Sequence, residues 1–82
     1  MSADEMFRKL GYEKYKEEYL GKTMKELYGN NADKRICFWR DKIIEVYDFY
    51  DGSRDFTIEE LQAINKKCEE LGWLDKNIKE MN

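Results

Sequence analysis

Two adjacent runs of β-branched and aromatic residues constrain the fold of this chain more than any other feature. Residues 35–39 read RICFW and residues 43–50 read IIEVYDFY, with only the polar residues 40–42 between them. Such runs favour strands, and a three-residue link has the length of a hairpin connection. We therefore expect two strands that pair antiparallel.

Alternation along these strands places apolar side chains on both faces of the sheet. One face receives Ile36, Phe38, Ile44 and Val46, and the opposite face receives Cys37, Trp39, Tyr47 and Phe49. At least one face must therefore be covered by a helix.

The C-terminal part of the chain predicts that helix. Thr57 and Glu60 form a capping box, and Gly72 supplies a C-terminal stop. Apolar residues at helical spacing between them predict a single buried stripe, made of Ile58, Leu61, Ile64, Cys68 and Leu71. We expect residues 73–74 to fold back over the last turn, and residues 75–82 to form a frayed final turn.

The N-terminal part predicts a shorter helix over residues 3–10. Ser2 and Glu5 form a second capping box, and Gly11 ends the helix. Residues 12–20 match a helix as well as an extended segment. For residues 23–28 we favour a strand, because the turn residues 29–31 follow at once and precede a clear strand.

Together these elements predict one small α+β domain over residues 1–82. Its parts are an N-terminal helix, a small antiparallel sheet of about three strands, and a C-terminal amphipathic helix packed on the sheet.

The charge and the residue types exclude several classes of function. The net charge of −3 lacks the basic surface of most nucleic-acid-binding proteins, so nucleic acid is an unlikely partner. The chain has no histidine and no Gly-rich phosphate loop, and its two cysteines are not in a C-x-x-C pair. We expect no catalytic residues, no cofactor and no metal, and we expect both cysteines to be buried thiols.

Some of the charged residues can be compared with known functional motifs. Residues 51–61 end like an EF-hand loop, but alignment on Glu60 puts Phe49 and Arg54 where calcium ligation needs Asp and Gly. The pairs Glu59-Glu60 and Lys66-Lys67 are adjacent in sequence and diverge by about 100° on a helix, so we expect them to be solvated surface charges.

Trp39, Tyr47 and Phe49 are the candidate protein-contact residues. If the N-terminal helix covers their face, they are core residues. If that face is only partly covered, it is a natural protein-binding or dimerising surface, because aromatic side chains give large contact area at low entropy cost.

Two segments of the chain together resemble small proteins encoded by phages and prophages of Firmicutes-type bacteria. The residues concerned are the Met6-Phe7-x-x-Leu10-Gly11-Tyr12 segment near the start and residues 60–66 and 70–73, ELQAINK and ELGW, near the end. The resemblance implies a helix, a small antiparallel sheet and a final helix, and no settled activity. Phages encode many small acidic proteins that inhibit host machinery, including anti-CRISPR and other anti-defence proteins.

We therefore expect a non-enzymatic protein that binds a host or phage protein, as a monomer or a homodimer. The alternative is a module that binds a small nucleotide or signal molecule, with a dimer building the pocket. Residues 1–8 lack the features of a secretory signal and no apolar run could cross a membrane, so we expect a cytoplasmic location in the bacterial host.

Overall fold

The computed structural model describes residues 1–15 and 24–74, which form an α+β fold with a helix at each end. The elements in chain order are α1 (Ala3–Lys9), β1 (Tyr12–Tyr15), β2 (Met24–Asn30), β3 (Lys34–Trp39), β4 (Ile44–Asp48) and α2 (Ile58–Glu70). The four strands pair antiparallel in chain order. The sheet thus has one strand more than the three predicted, because residues 12–15, which the sequence left open, are extended.

Both predicted hairpin strands are present with the predicted faces. Ile36 pairs with Val46 and Phe38 with Ile44, so these four side chains share one face of the sheet. Lys42 closes the link with a φ of 70°. The strand favoured for residues 23–28 is also confirmed, as the main part of β2.

The turn between β2 and β3 is held by one side chain. The Asn30 carboxamide oxygen accepts hydrogen bonds from the backbone N–H of Ala32 and of Lys34. Asp33, with a φ of 63°, takes the left-handed conformation that a tight turn requires. The predicted hairpin is therefore present, but its turn lies at residues 31–33 rather than 29–31, because Gly29 and Asn30 still belong to β2.

Both capping boxes are formed. The Ser2 hydroxyl accepts from the Glu5 backbone N–H and the Glu5 carboxylate accepts from that of Ser2, which starts α1. Thr57 and Glu60 do the same for α2. The C-terminus of α2 ends as expected: Gly72 has a φ of 74°, and the Trp73 backbone N–H donates to the Cys68 carbonyl at 2.9 Å.

The buried side of α2 differs from the predicted apolar stripe. Ile64 and Cys68 are buried as expected, but Ile58 is 67% exposed and Leu61 is 43% exposed. Glu60, Ala63 and Lys67 lie on the buried side instead. The reason is tertiary: the two charged side chains have partners on the sheet, so polar residues occupy positions that a hydrophobicity pattern assigns to solvent. The prediction that Glu60 and Lys67 are solvated charges was wrong.

Both helices lie on the same face of the sheet, which we call the covered face. The rings of Phe7 on α1 and Tyr28 on β2 stack with centroids 4.2 Å apart, and Phe7 also meets Phe38 edge-on. Residues of α1, of α2 and of this face form one core cluster: Phe7, Tyr12, Tyr28, Ile36, Phe38, Val46, Ala63, Ile64 and Cys68. The possibility that α1 covers Trp39, Tyr47 and Phe49 is therefore wrong, because α1 buries Phe7 on the opposite side.

The predicted frayed turn at residues 75–82, and residues 16–20 of the ambiguous segment, lie outside the described residues. Among the described residues, no helix is long and apolar enough to cross a bilayer.

Candidate functional site

The sheet face opposite the helices, which we call the open face, carries the candidate contact residues. Strand register places on it Glu13, Tyr15, Leu27, Gly29, Arg35, Cys37, Trp39, Glu45 and Tyr47, and Phe49 continues the pattern just after β4. Within the described ranges, no helix packs on this face. Trp39 and Tyr47 are half-buried, and Phe49 is 61% exposed.

The structure brings Tyr47 and Phe49 together and places Trp39 in an adjacent groove. The Tyr47 and Phe49 rings meet edge-on with centroids 4.7 Å apart. They line a depression of about 360 Å³ together with Arg35 and Arg54. Trp39 lines a larger groove of about 840 Å³, together with Ile43 before β4 and Phe56 between β4 and α2. The two concavities share Arg54 and Glu45, and the larger one is also lined by Ile44 and Val46 of the covered face, so it lies along the sheet edge that β4 forms.

Arg35 is the residue at the centre of this surface that the sequence did not single out. Its guanidinium carbon lies 5.5 Å from the centroid of the Tyr15 ring and 5.5 Å from that of the Phe49 ring. Both distances lie within the range of a cation–π contact. We call Arg35, Tyr15, Phe49 and the glycine described next the Arg35 cluster.

Gly29 makes the Arg35 cluster possible. A Cβ at this position would lie 2.6 Å from Cε2 of Tyr15 and 3.0 Å from Nη1 of Arg35. A glycine inside a strand often marks the close approach of another group, and here the Tyr15 ring and the arginine lie across its backbone. This glycine within β2 was the one sequence signal that pointed to the cluster.

Arg54 adds a second arginine–ring contact on the open face. Its guanidinium carbon lies 5.3 Å from the Tyr47 centroid. Its one ion pair with a described residue is loose, with Nη1 3.9 Å from Oε2 of Glu45, and both side chains are well exposed. Exposed pairs of this kind contribute little to stability, so Arg54 remains available to other groups.

The charged groups of the covered face are arranged differently, in networks without unpaired members. Glu60 accepts from the Tyr12 hydroxyl at 2.7 Å, from Lys34 Nζ at 2.8 Å and from the Thr57 backbone N–H at 2.8 Å. Burial acts to raise the pKa of Glu60, but these hydrogen bonds outweigh it and lower the pKa. The carboxylate therefore stays ionised and ties α2 to β1 and β3.

A second network joins α1 and α2 to β1 and β2. Glu26 pairs with Lys67 at 2.6 Å and with Lys14 at 3.0 Å. The single proton of the Tyr28 hydroxyl is donated to Asp4, and the hydroxyl oxygen lies 3.2 Å from Oε1 of Glu26. Burial and these acidic neighbours raise the pKa of Tyr28, so the phenol stays neutral. A carboxylate held charged and a phenol held neutral fit a structural role better than proton transfer.

The part of the chain that the structure describes contains neither a metal site nor a reactive cysteine. No group of three or more acidic or cysteine side chains there could hold a metal ion. Cys68 is buried, but Cys37 is only half-buried on the open face, which corrects the prediction that both are buried. Burial raises the pKa of Cys37 to about 11, so it is a thiol at neutral pH.

Comparisons of the chain with protein-family models, with curated proteins and with solved structures found no match. The resemblance to phage and prophage proteins therefore stays a prediction from the residues quoted above.

Proposed function

We propose that this protein is a non-enzymatic binding module that recognises another protein through the open face of its sheet. The observation that carries the proposal is the location of Trp39, Tyr47 and Phe49 on a face that no described helix covers. Aromatic side chains with solvent on one side and a sheet on the other are typical of the anchors of protein interfaces.

The construction of the open face favours binding with little rearrangement. Tyr15, Tyr47 and Phe49 are each held by a neighbouring ring or guanidinium group. Side chains that are already ordered lose less entropy when a partner docks. Tyr15 and Tyr47 also stand on paired strands, so their spacing is set by the sheet, and Phe49, just after β4, is held by a hydrogen bond from its backbone N–H to the Asp33 carbonyl.

The resemblance to phage and prophage proteins suggests the class of protein to which the partner belongs. On that basis the partner is a host or phage protein in the bacterial cytoplasm, and the protein acts as an accessory factor that occupies its surface. Inhibition of a host defence system, as by anti-CRISPR proteins, is the form of this function that the small size and acidic composition fit best.

The test is affinity capture from the lysate of a Firmicutes-type bacterium, with or without phage infection, using the wild type and three variants of the protein. We expect the wild type to retain one protein at stoichiometric level, and Phe49→Ala and Trp39→Ala to lose it while keeping the wild-type circular dichroism spectrum. Ile58→Ala is the matched control, because Ile58 is an equally exposed apolar residue on α2 (67% exposed). Repeated failure to capture any protein, or equal capture by all variants, would count against the proposal.

The groove beside Trp39 favours a second candidate function, the binding of a small molecule. Its volume of about 840 Å³ is large enough for a nucleotide-sized ligand, and it has apolar walls from Ile43 and Phe56 with Arg40 and Arg54 at its rim. Native mass spectrometry of freshly purified protein is the discriminating measurement. A retained ligand that Trp39→Ala loses would favour this alternative over protein binding.

A further inference from the structure

We infer that Arg35 is the anchor for a carboxylate of the partner, so that the segment docking on the open face is an acidic stretch of protein. This inference rests on the proposed function, because it assumes that a protein binds this face. It adds the chemistry of the segment that binds and the residue that recognises it.

Among the residues that the structure describes, Arg35 has no acidic partner. Its contacts in the described part of the chain are with the Tyr15 and Phe49 rings. By contrast, Lys34, the preceding residue on β3, reaches across the covered face to Glu60 at 2.8 Å. Of these two neighbouring cations, Lys34 on the covered face has a counter-charge, whereas Arg35 on the open face has none within the described ranges.

The ring contacts of Arg35 leave its hydrogen-bond donors without an acceptor. A guanidinium group has five N–H donors, and a ring centroid 5.5 Å away does not take the place of an oxygen acceptor. Those donors form a fork that matches the two oxygens of a carboxylate. Gly29 lets Tyr15 and the arginine lie close to the sheet, which limits the space in which the guanidinium group can move.

Arg35 lies in a partly enclosed depression. The residue is half-buried, and the depression is also lined by Leu27, Tyr47 and Phe49, with one acidic residue, Glu45, which pairs loosely with Arg54. Docking of a partner would remove the remaining water, and charge-assisted hydrogen bonds are stronger in such surroundings. Arg54, on the Tyr47 ring, offers a second cation on the same face, so two acidic residues in one segment could each be recognised.

Charge complementarity selects an acidic protein segment over the other possible occupants. A phosphate backbone calls for a field of many cations, and this chain has a net charge of −3. The exposed apolar rings of Tyr15 (41% exposed) and Phe49 (61% exposed) also fit the apolar side chains that flank acidic residues in a peptide.

The experiment selects peptides from a random display library on wild-type protein and measures the affinity of the enriched sequences by fluorescence anisotropy. We expect enrichment in Asp and Glu, and affinities that Arg35→Gln weakens by roughly 10- to 100-fold, in line with the loss of a charge-assisted hydrogen bond. Arg8→Gln, which removes an exposed arginine from α1, is the matched control and should leave affinity unchanged. Arg35→Lys keeps the charge but not the fork, and should recover only part of the loss.

A measurement on unchanged protein guards against a variant that fails to fold. Replacing the acidic residues of an enriched peptide by Asn or Gln should weaken its binding to wild-type protein as much as Arg35→Gln does. The two changes together should cost little more than either one, as expected for groups that contact each other.

The other outcomes separate this inference from the proposed function. Enriched peptides that depend on Trp39 and Phe49 but not on Arg35, or that contain no excess of acidic residues, would overturn the inference and leave the proposed function in place. Failure to enrich any peptide would count against both. Arg35-dependent binding of a fifteen-nucleotide oligo-dT tighter than that of any peptide would overturn it in favour of nucleic acid. A wild-type dimer that Arg35→Gln converts to a monomer in sedimentation would overturn it in favour of a second copy of the chain.

Discussion

The two faces of the sheet are built from the same four strands, yet they treat aromatic and charged side chains in opposite ways. On the covered face Phe38 is fully buried, and every charged group named above has a partner of opposite sign. On the open face Phe49 is mostly exposed, and Arg35 rests on rings without an acidic partner. Within the described structure, the covered face has its rings buried and its charges paired, whereas the open face has exposed rings and an unpaired positive charge.

Because the two faces differ in this way, substitutions that affect folding can be distinguished from substitutions that affect binding. Groups on the covered face meet protein atoms on all sides, so their removal changes the free energy of unfolding. Leu27 is the buried residue of the open face, at 2% exposure, but Phe49 and Tyr15 there meet solvent on one side, so their removal should change binding far more than folding.

The largest expected effect is on the stability of the covered face. Phe38→Ala should lower the free energy of unfolding by about 3–5 kcal/mol, because it leaves a cavity among the rings of Phe7, Tyr28 and Trp73. The same substitution at Phe49 on the open face should cost about 1 kcal/mol or less. Urea denaturation of both variants checks the contrast, and equal losses would show that the open face is buried too.

The next effect concerns adjacent glutamates with different surroundings. Glu60→Gln should destabilise the fold by about 2 kcal/mol, because Lys34 loses its counter-charge and the N-terminus of α2 loses a charged cap. Glu59→Gln is the matched control, since Glu59 is exposed and one position away, and it should change stability by less than about 0.5 kcal/mol. Thermal unfolding of the pair measures the difference, and a null result for Glu60→Gln would refute its structural role.

Acid should weaken the covered face in a defined pH range. Burial acts to raise the pKa of Glu26, but hydrogen bonds from Lys67 and Lys14 outweigh it and lower the pKa. The pKa of Asp4 is lowered as well, mainly by the hydrogen bond from the Tyr28 hydroxyl. Their contribution to stability is therefore complete above the ordinary values of 4.5 and 3.8, and is lost as pH falls through the folded-state values.

The melting temperature should accordingly fall as the pH is lowered below about 4.5, the ordinary value for Glu. Glu26→Gln should make this decline shallower, because one of the responsible carboxylates is gone. A Glu26→Gln variant with an unchanged pH profile would contradict the assignment.

The smallest effect on stability, with a clear effect on binding, is expected at Gly29. In Gly29→Ala the new methyl group would displace the Tyr15 ring and the Arg35 side chain, while strand β2 keeps its pairing. We expect a change of about 1 kcal/mol or less in the free energy of unfolding, together with weaker binding of the acidic peptides selected on wild-type protein. Unaltered affinity would mean that the position of Arg35 does not matter for binding.

Local signals account for the parts of the fold that the sequence predicted correctly. A capping box, a turn residue or strand alternation is decided by groups within a few residues of one another, so Ser2 with Glu5 and Thr57 with Glu60 could be identified at once. The same holds for the opposite faces of Phe38 and Phe49, which follow from the period of a strand. The candidate contact residues Trp39, Tyr47 and Phe49 were found in this way.

Contacts between distant segments decided the rest. The amino-acid sequence by itself determined the helix starts, the hairpins and which residues share a strand face. Only the tertiary structure decided that β1 joins the sheet, that α1 and α2 share one face, and that Glu60 and Lys67 rather than Ile58 and Leu61 turn inward. It also decided that Tyr15, Gly29, Arg35 and Phe49, from four separate points of the chain, meet on the open face. The physical reason is that a charged side chain becomes favourable in a core, and an arginine becomes a binding group, only through partners that the fold brings together from far along the chain.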